Sequence, residues 1–394
     1  MELNDFTVLL TPGGQEALHE AARREPREAD FLQHFTYLSS KYPPGLARAA
    51  LETAILRREA AVKFPASGRM YFTRAALEQA SSSVVAAYRA ARYRPFDCLV
   101  DLGCSIGSDS LALAAVAPML GLELDPLRLA IAQANLQAAN LESQSQLIRA
   151  DLTRPLPLAA NPKQALFFDP ARRTDSRRIF SVREYQPPLE VVKDWLSGHP
   201  ALGVKISPGV DLTELAGYEA EIEFISLHGE LKEAVLWFGP LKTARRRATL
   251  LPGQHTLARS DVELSSTGSL PLAEPLAYLY EPDPAVIRAG LVEDLGRLLG
   301  AAQLDPDIAY LTAQQRHETP FARVWGVEAW FPFQLKRLRQ ALRERNVGQV
   351  TVKKRGSPLE PEALITRLHL SGPEKRVVFL THLVGRPIVL LAFE

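Results

Sequence analysis

The chain has 394 residues, 46% of them hydrophobic and 23% charged, with a formal net charge of +1. That length divides among several domains with separate cores, and the composition excludes a disordered chain or a coiled coil and confines any nucleic-acid or membrane affinity to local patches. No run approaches the roughly 18 to 20 apolar residues of a membrane span, and two cysteines, Cys98 and Cys104, are too few for a disulfide framework or a four-ligand zinc site.

The start MELNDFTVLLTPGG lacks the basic and apolar stretches of a signal peptide, so a cytoplasmic location is expected, with no metal and no membrane partner. Residues 1 to about 92 read as helical: in TRAALEQASSSVVAAYRAARY the apolar positions Leu77, Ala80, Val84 and Tyr88 recur at three- and four-residue steps. From Phe96 the rhythm changes to short apolar runs separated by amphipathic stretches, namely DCLVDLG, MLGLELD, SQLIRAD, ALFFDP and LGVKISP. That alternation predicts a doubly wound parallel sheet with helices on both faces. EIEFISLHG and EAVLWFG follow with only ELK between them, which predicts an antiparallel pair. His228, Glu230 and Glu233 in that pair read as a hairpin turn with solvated charges, the alternative being that they line a ligand pocket. The stretch after Gly239 reads as a connection with a short hairpin, YLYEPDPAVIRAGLVEDLGRLLG opens a small α+β unit, and FARVWGVEAWFP to RPIVLLAFE reads strand, helix, strand, helix, strand, strand.

The most informative motif is CLVDLGCSIGSDSLALAA. A buried strand delivers Asp101 and Gly103 into a tight turn, and a helix begins near Ser108 to Ser110. Glycines at 103 and 107 let the backbone approach a bound group closely. The G-x-G-x-x-G spacing of diphosphate sites is absent, because Ser105 stands where the middle glycine would be. Glu123 ends the next strand, where a carboxylate can accept from both ribose hydroxyls of an adenosine, and Asp151 ends the third, placed for the adenine amine or its loop.

On these residues the sequence resembles the class I S-adenosylmethionine-dependent methyltransferases over about residues 80 to 240. The resemblance implies S-adenosylmethionine as cofactor, with Asp101, Gly103, Cys104 and Gly107 at its methionine end, Glu123 at the ribose and Asp151 at the adenine. It also implies a Rossmann-like seven-stranded α/β sheet whose last strands are antiparallel. FFDPARR then falls at the end of the fourth strand, where this class presents its target, and open α/β sheets bind ligands at the carboxyl ends of their strands. Asp169 is placed to orient a nucleophile and take its proton, and Pro170, without freedom in φ, to fix the approach. Arg172 joins them as a candidate catalytic residue and Arg173 as a substrate-binding one, both with planar donor forks for an anionic part of the substrate. The same pair could instead bridge Asp175 or Glu184 at the surface. For Lys205, at the end of the fifth strand, a substrate contact and a bridge to Asp169 are both open.

KFPASGRMYFTRAALEQAS, DPARR, KISPG, YLYEPDPAVIRAG and VKKRG together are similar to a bacterial methyltransferase family with a ferredoxin-like insert and a C-terminal THUMP-like domain. The expected organisation is a helical domain over 1–80, the methyltransferase domain over 81–240, a linker and ferredoxin-like α+β domain over 241–315, and the THUMP-like α+β domain over 316–394. Since THUMP domains bind structured RNA, the resemblance implies RNA as partner. The residues offer phosphate contacts or, alternatively, a merely solvated face: Lys336, Arg339 and Arg343 share a helical face other than that of Leu335, Leu338 and Leu342, Lys353, Lys354 and Arg355 end a strand, and Arg245 to Arg247 form a second basic run. The expected function is methylation of tRNA or rRNA. The alternatives are a methyltransferase of a protein or small anionic metabolite, a non-catalytic RNA-binding protein and, remotely, a nicotinamide-dependent oxidoreductase.

Overall fold

The computed structural model describes residues 1–171, 173–174, 177–178, 181–260 and 268–393, with the backbone alone at 173–174 and 177–178. The chain divides into two compact units, Met1–Ile222 with Lys232–Thr243, and Glu223–Leu231 with Ala244–Glu394.

The first unit opens with helices α1 (Leu3–Leu9), α2 (Pro12–Arg23), α3 (Phe31–Ser39), α4 (Pro44–Ala60), α5 (Arg74–Gln79) and α6 (Ser83–Ala91). Local chemistry sets their starts: the Thr11 side chain accepts from Gly14 N at 3.2 Å with Pro12 in the first turn, and α4 begins on Pro44. Buried Leu46, Leu51, Ile55 and Leu56 of α4 pack with Phe6, Leu18, Phe64 and Phe72, and the same core takes in Ile106 and Ile131. Burial of each such side chain contributes about 1.5–3 kcal/mol.

The sheet of this unit comprises β1 (Cys98–Leu102), β2 (Met119–Glu123), β3 (Ser145–Arg149), β4 (Gln164–Phe168), β7 (Leu202–Ile206), β8 (Glu221–Leu227, of which the first two residues belong here) and β9 (Glu230–Trp237). A two-residue ladder, β5 (Arg173–Thr174) with β6 (Arg177–Arg178), stands apart from it. The order is β8-β9-β7-β4-β1-β2-β3. β1 to β4 and β7 are parallel neighbours and β9 runs antiparallel to β7. Helices α7 (Ser108–Ala114), α8 (Pro126–Ala138) and α9 (Val191–Leu196) make the crossovers. This is the Rossmann-like sheet expected from the sequence. Its order turns back at β1, which has β2 on one side and β4 on the other, so the crevice at the carboxyl ends of β1 and β4 is where an α/β sheet binds a ligand.

The second unit holds the antiparallel hairpin β10 (Arg246–Leu251) and β11 (His255–Arg259). It then adds β12 (Tyr278–Pro282), α10 (Pro284–Ala289), α11 (Val292–Leu299), β13 (Ala302–Asp305), β14 (Ile308–Ala313), β15 (Ala322–Pro332), α12 (Leu335–Glu344), β16 (Val347–Lys354), α13 (Pro361–Leu368), β17 (Glu374–Leu383) and β18 (Arg386–Phe393). One sheet of order β13-β14-β12-β15-β18-β17-β16 takes strands from both sides of residue 315. Leu338 and Leu342 of α12 pack with Leu364, Leu368, Val378 and Leu391, while Trp325, Tyr310 and Phe379 fill another core cluster with edge-on ring contacts.

Candidate active site

The turn after β1 is built from left-handed backbone: Gly103, Ser105 and Gly107 have φ of 77°, 49° and 80°. Glycine carries no penalty there, and Ser105 does. The cost at Ser105 is offset by its N–H, which donates to Glu123 Oε2 at 2.9 Å. The other oxygen of Glu123 accepts from Leu124 N at 2.8 Å and Asp125 N at 2.9 Å. The carboxylate thus pins the turn to the end of β2, and the N–H groups of Gly103 and Cys104 close the link on Leu122 O at 2.9 and 3.0 Å. Asn135 of α8 adds a buried staple: its amide donates to Ile106 O at 2.8 Å and Tyr71 O at 3.0 Å, and accepts from Tyr71 N at 2.7 Å. That staple fixes the segment leading into α5, which brings Ala76, Gln79 and Ala80 to the same crevice.

The crevice is a cavity of about 480 Å³. Asp101, Gly103, Cys104, Glu123, Asp151, Asp169 and Pro170, inferred from the sequence, all line it. Asp151 forms an Asx turn, accepting from Thr153 N at 3.0 Å and Thr153 Oγ1 at 2.7 Å, which holds its carboxyl below the ordinary value. Asp101 is 1% exposed and accepts from Ser110 Oγ at 2.5 Å. Burial, reinforced by the neighbouring Asp109 carboxylate, pushes its pKa up to about 8. Burial also pushes up the Cys104 thiol. Gly107 serves the site indirectly: it caps α7, and a Cβ there would come within 3.2 Å of Ala132 Cβ.

Asp169 projects from the end of β4, and its Oδ2 accepts from Lys205 Nζ at 2.6 Å. The Lys205 side chain is 3% exposed and also reaches Gln79 O at 3.4 Å, so of the two roles open for it the bridge to Asp169 is what the structure contains. Arg172 lies outside the described residues, and of Arg173 only the strand backbone is described.

Sequence reasoning missed a buried charge network behind the crevice. Arg89 of α6 donates to Asp109 of α7 and to Glu233 of β9, Ser81 Oγ donates to Glu233 Oε2 at 2.8 Å, and the guanidinium lies 4.6 Å from the Phe167 ring centroid. Glu233 is therefore not the solvated hairpin charge expected from its neighbours: it is 2% exposed and tied to a helix 144 positions earlier. Glu230 and His228 are exposed as expected. Asp109 lines the cavity, and burial pushes its carboxyl up against the pull of Arg89. Among the described residues, four carboxyl groups (Asp101, Asp109, Asp169, Glu233) thus share this interior with two cations, Arg89 and Lys205. Gln186, Pro187 and Pro188 form a further wall, positioned by the backbone bridge from Ala171 to Gln186. The Gln-Pro-Pro triplet was the signal available for it.

The basic residues that the sequence singles out in the second unit stand in different surroundings. Lys336 and Arg343 are exposed on α12, while Arg339 donates to Arg367 O at 2.7 Å. Lys354 pairs with Glu360 at 2.6 Å, Lys353 with Glu281, and Arg355 lies 5.0 Å over Tyr310. Within the Arg245 to Arg247 run, burial lowers the pKa of Arg246 and leaves its Nη1 without a hydrogen-bond partner. Among the described residues, no group of three or more His, Cys, Asp or Glu could hold a metal ion, and no helix is long and apolar enough to cross a membrane.

Comparison with known proteins adds to this geometry. Residues 322–393 match a family described as THUMP domain-like, and residues 2–60 match a domain of unknown function. Uncharacterised S-adenosylmethionine-dependent methyltransferases from two Mycobacterium tuberculosis strains, CDC 1551 / Oshkosh and H37Rv, are each 37% identical over 344 residues, covering 84% of this chain and 92% of theirs. A crystal structure assigned to a methyltransferase of Porphyromonas gingivalis W83 superimposes with a TM-score of 0.77 at 22% identity, over 94% of this chain and 99% of that one, and shares the fold.

Proposed function

The chain belongs to the S-adenosylmethionine-dependent methyltransferases that carry a THUMP-like C-terminal domain, and from that premise we propose that it methylates structured RNA, a tRNA or rRNA, with the acceptor atom presented at Asp169 and Pro170. The observation that carries the RNA reading is the THUMP-like segment at 322–393 in the same chain as the carboxylate-lined crevice of the Rossmann-like unit.

The residues of the crevice fit the cofactor. A cavity of about 480 Å³ has a left-handed turn on one side and acids at three successive strand ends, and its excess of carboxylate over cation suits a ligand bearing a sulfonium and an ammonium. Asp101, Gly103 and Cys104 would hold the methionine end, Glu123 a ribose hydroxyl through the one lone pair of Oε2 that its backbone donors leave unused, and Asp151 with its turn the adenine. S-adenosylmethionine, when bound, supplies an electrophilic methyl group. The protein's own work is then positioning. Lys205 fixes the Asp169 carboxylate, Asp169 orients the acceptor and takes the proton it loses, and Pro170 limits the approach to one direction. Arg172 and Arg173 are assigned to the anionic part of the substrate.

The test is transfer of labelled methyl from S-adenosylmethionine to RNA, protein and small-metabolite fractions, each taken from cells lacking this gene. Label in RNA that is lost with Asp169→Ala, while cofactor binding persists, is the expected outcome. Label confined to protein or metabolites would overturn the RNA reading and move Arg172 and Arg173 to the centre of recognition.

A further inference from the structure

The second unit contains a cavity of about 440 Å³ that the reading above does not use. Five separate stretches of that unit build it: the turn at His228 and Gly229, the β10 to β11 connection from Leu250 to His255, the end of β12 through Asp283 and Pro284, the start of β15 with Arg323, and the end of β16 with Lys353 and Arg355. The walls are held in place by main-chain bonds. His228 N donates to Leu251 O at 2.8 Å, and Asp283 N donates to Phe321 O at 2.8 Å.

The charges on these walls are not equivalent. Glu281 is taken by Lys353, and Asp283 caps α10 by accepting from Ala285 N at 2.8 Å. Arg323 and Arg355 have no carboxylate partner among the described residues. The guanidinium of Arg355 is instead packed 5.0 Å over the ring of Tyr310, which is 1% exposed, so its direction is set before any ligand arrives. Arg323 lies close to the glycine of the opposing turn, since a Cβ on Gly229 would sit 3.6 Å from its Nη2. Two imidazoles, His228 and His255, add ring nitrogens that can hydrogen-bond, while Pro252, Pro282, Pro284, Pro320 and Leu250 supply rigid apolar wall.

We propose that this cavity is a nucleotide-binding site in which Arg323 and Arg355 grip a phosphate while the proline-lined wall packs against the attached sugar or base. Two guanidiniums without a carboxylate partner among the described residues, approaching from different strand ends, match a tetrahedral anion with several acceptor oxygens better than a planar carboxylate, which one arginine fork satisfies. The volume exceeds what a bare phosphate needs, and apolar walls beside the charge suit a flat nucleoside. The nucleotide can be free or part of an RNA strand. The second case rests on the RNA reading and would make the cavity a grip on the substrate remote from the methyl acceptor.

The experiment uses the full chain, its Arg323→Ala/Arg355→Ala double variant and the milder Arg323→Gln/Arg355→Gln variant, with thermal unfolding to establish that each is folded. Binding of AMP, of inorganic phosphate and of a short single-stranded oligoribonucleotide is measured by calorimetry or fluorescence, with S-adenosylmethionine binding as the control for the other cavity. Loss of roughly tenfold in affinity per arginine removed, for AMP or for the oligonucleotide, with cofactor affinity unchanged, is the expected result. AMP binding that depends on the arginines without any RNA binding supports the cavity and overturns the RNA reading. RNA binding that is indifferent to both arginines overturns the cavity and leaves the RNA reading intact. Absence of any arginine-dependent phosphate binding in folded protein also overturns the cavity.

Discussion

The two cavities are built from opposite charges, and they hold those charges in different ways. Among the described residues, the crevice of the first unit is lined by Asp101, Asp109, Glu123, Asp151 and Asp169 against a single arginine, Arg128. That of the second is lined by Arg323, Lys353, Arg355 and two histidines against Glu281 and Asp283. In the first, most of the acids sit at strand ends or in the first turn of a helix, and several are bonded to each other's elements: Glu123 to the turn after β1, Asp109 to α6, Asp169 to β7. In the second, the cations hang from strand ends, and Lys353 alone of them has a carboxylate partner among the described residues, Glu281. Buried charges that depend on one another make a rigid, costly interior suited to aligning a reaction. Partly exposed charges, each acting singly, make a surface whose affinity for polyanions is roughly a sum of small parts.

The sharpest way to break this comparison is Arg89→Met. It strands Asp109 and Glu233 as buried carboxylates without their cation, and removal of one member of a buried pair costs on the order of 3–5 kcal/mol. Urea unfolding should register that loss in full. A cost below about 1 kcal/mol would mean the network is hydrated and no more interdependent than the surface pairs of the second unit. Next in size is Asp169→Asn, which keeps an oxygen toward Lys205 but removes the carboxylate proposed to accept the proton. Methyl transfer should fall about 100-fold or more, within the range for loss of an acid-base group, while cofactor binding by equilibrium dialysis stays within a few fold. A matched fall in cofactor affinity would assign Asp169 to the binding of the cofactor rather than to the acceptor.

These residues also mark how far the sequence could be read. The strands, their parallel order and the acids at three strand ends were legible because a buried parallel strand is a short apolar run and its carboxyl end is the next polar residue. Lys205 was half legible: its place on the rim followed from the strand, but its bond to Asp169 depends on β4 and β7 being neighbours. Glu233 was misread, since ELKE between two apolar runs looks like a solvated turn, and only the fold brings Arg89 against it. The contribution of Gln79 was illegible for the same reason, because long-range packing rather than local pattern delivers it, whereas the Gln-Pro-Pro triplet at 186–188 was visible as a pattern but not as a wall of the crevice. In the second unit, periodicity identified the apolar face of α12 but could not say which cations are neutralised. Glu281 precedes Lys353 by 72 positions.

A third prediction concerns pH. Folding favours the protonated form of Asp101, whose pKa rises from the ordinary carboxylate range near 4 to about 8. Between those values the native state holds a proton that the unfolded chain has released, so this residue's contribution to stability declines as pH rises from about 4 to about 8, by at most about 1.4 kcal/mol per unit. Below and above that window the contribution is flat. Asp101→Asn should remove the decline, so the variant gains on the parent protein steadily across the window in unfolding experiments at matched ionic strength. A parent and variant whose stabilities run parallel in pH would show Asp101 to be solvated like the exposed Glu360 of the second unit. Ser110→Ala is a smaller cut at the same place. It removes the donor to Asp101 at 2.5 Å, should cost about 1 kcal/mol, and shifts the midpoint of the pH decline upward because the lost hydrogen bond favoured the ionised form.

The smallest effect is expected where the charges are least dependent on one another. Lys354 pairs with Glu360 at 2.6 Å, but the two side chains are 32% and 66% exposed, and such a pair contributes roughly 0–1 kcal/mol. Lys354→Ala should therefore leave the unfolding midpoint nearly unchanged. If the strand end does meet phosphates, the variant's RNA affinity should drop modestly and equally for all sequences, and the slope of log K against log salt should shrink by about one. The two readouts separate the roles: a stability loss with an unchanged salt slope would make Lys354 part of the β16 to α13 connection, whereas an unchanged stability with a shallower slope would make it a contact to the substrate. A large change in both would dissolve the contrast, because the second unit would then be held by the same kind of interdependent charge as the first.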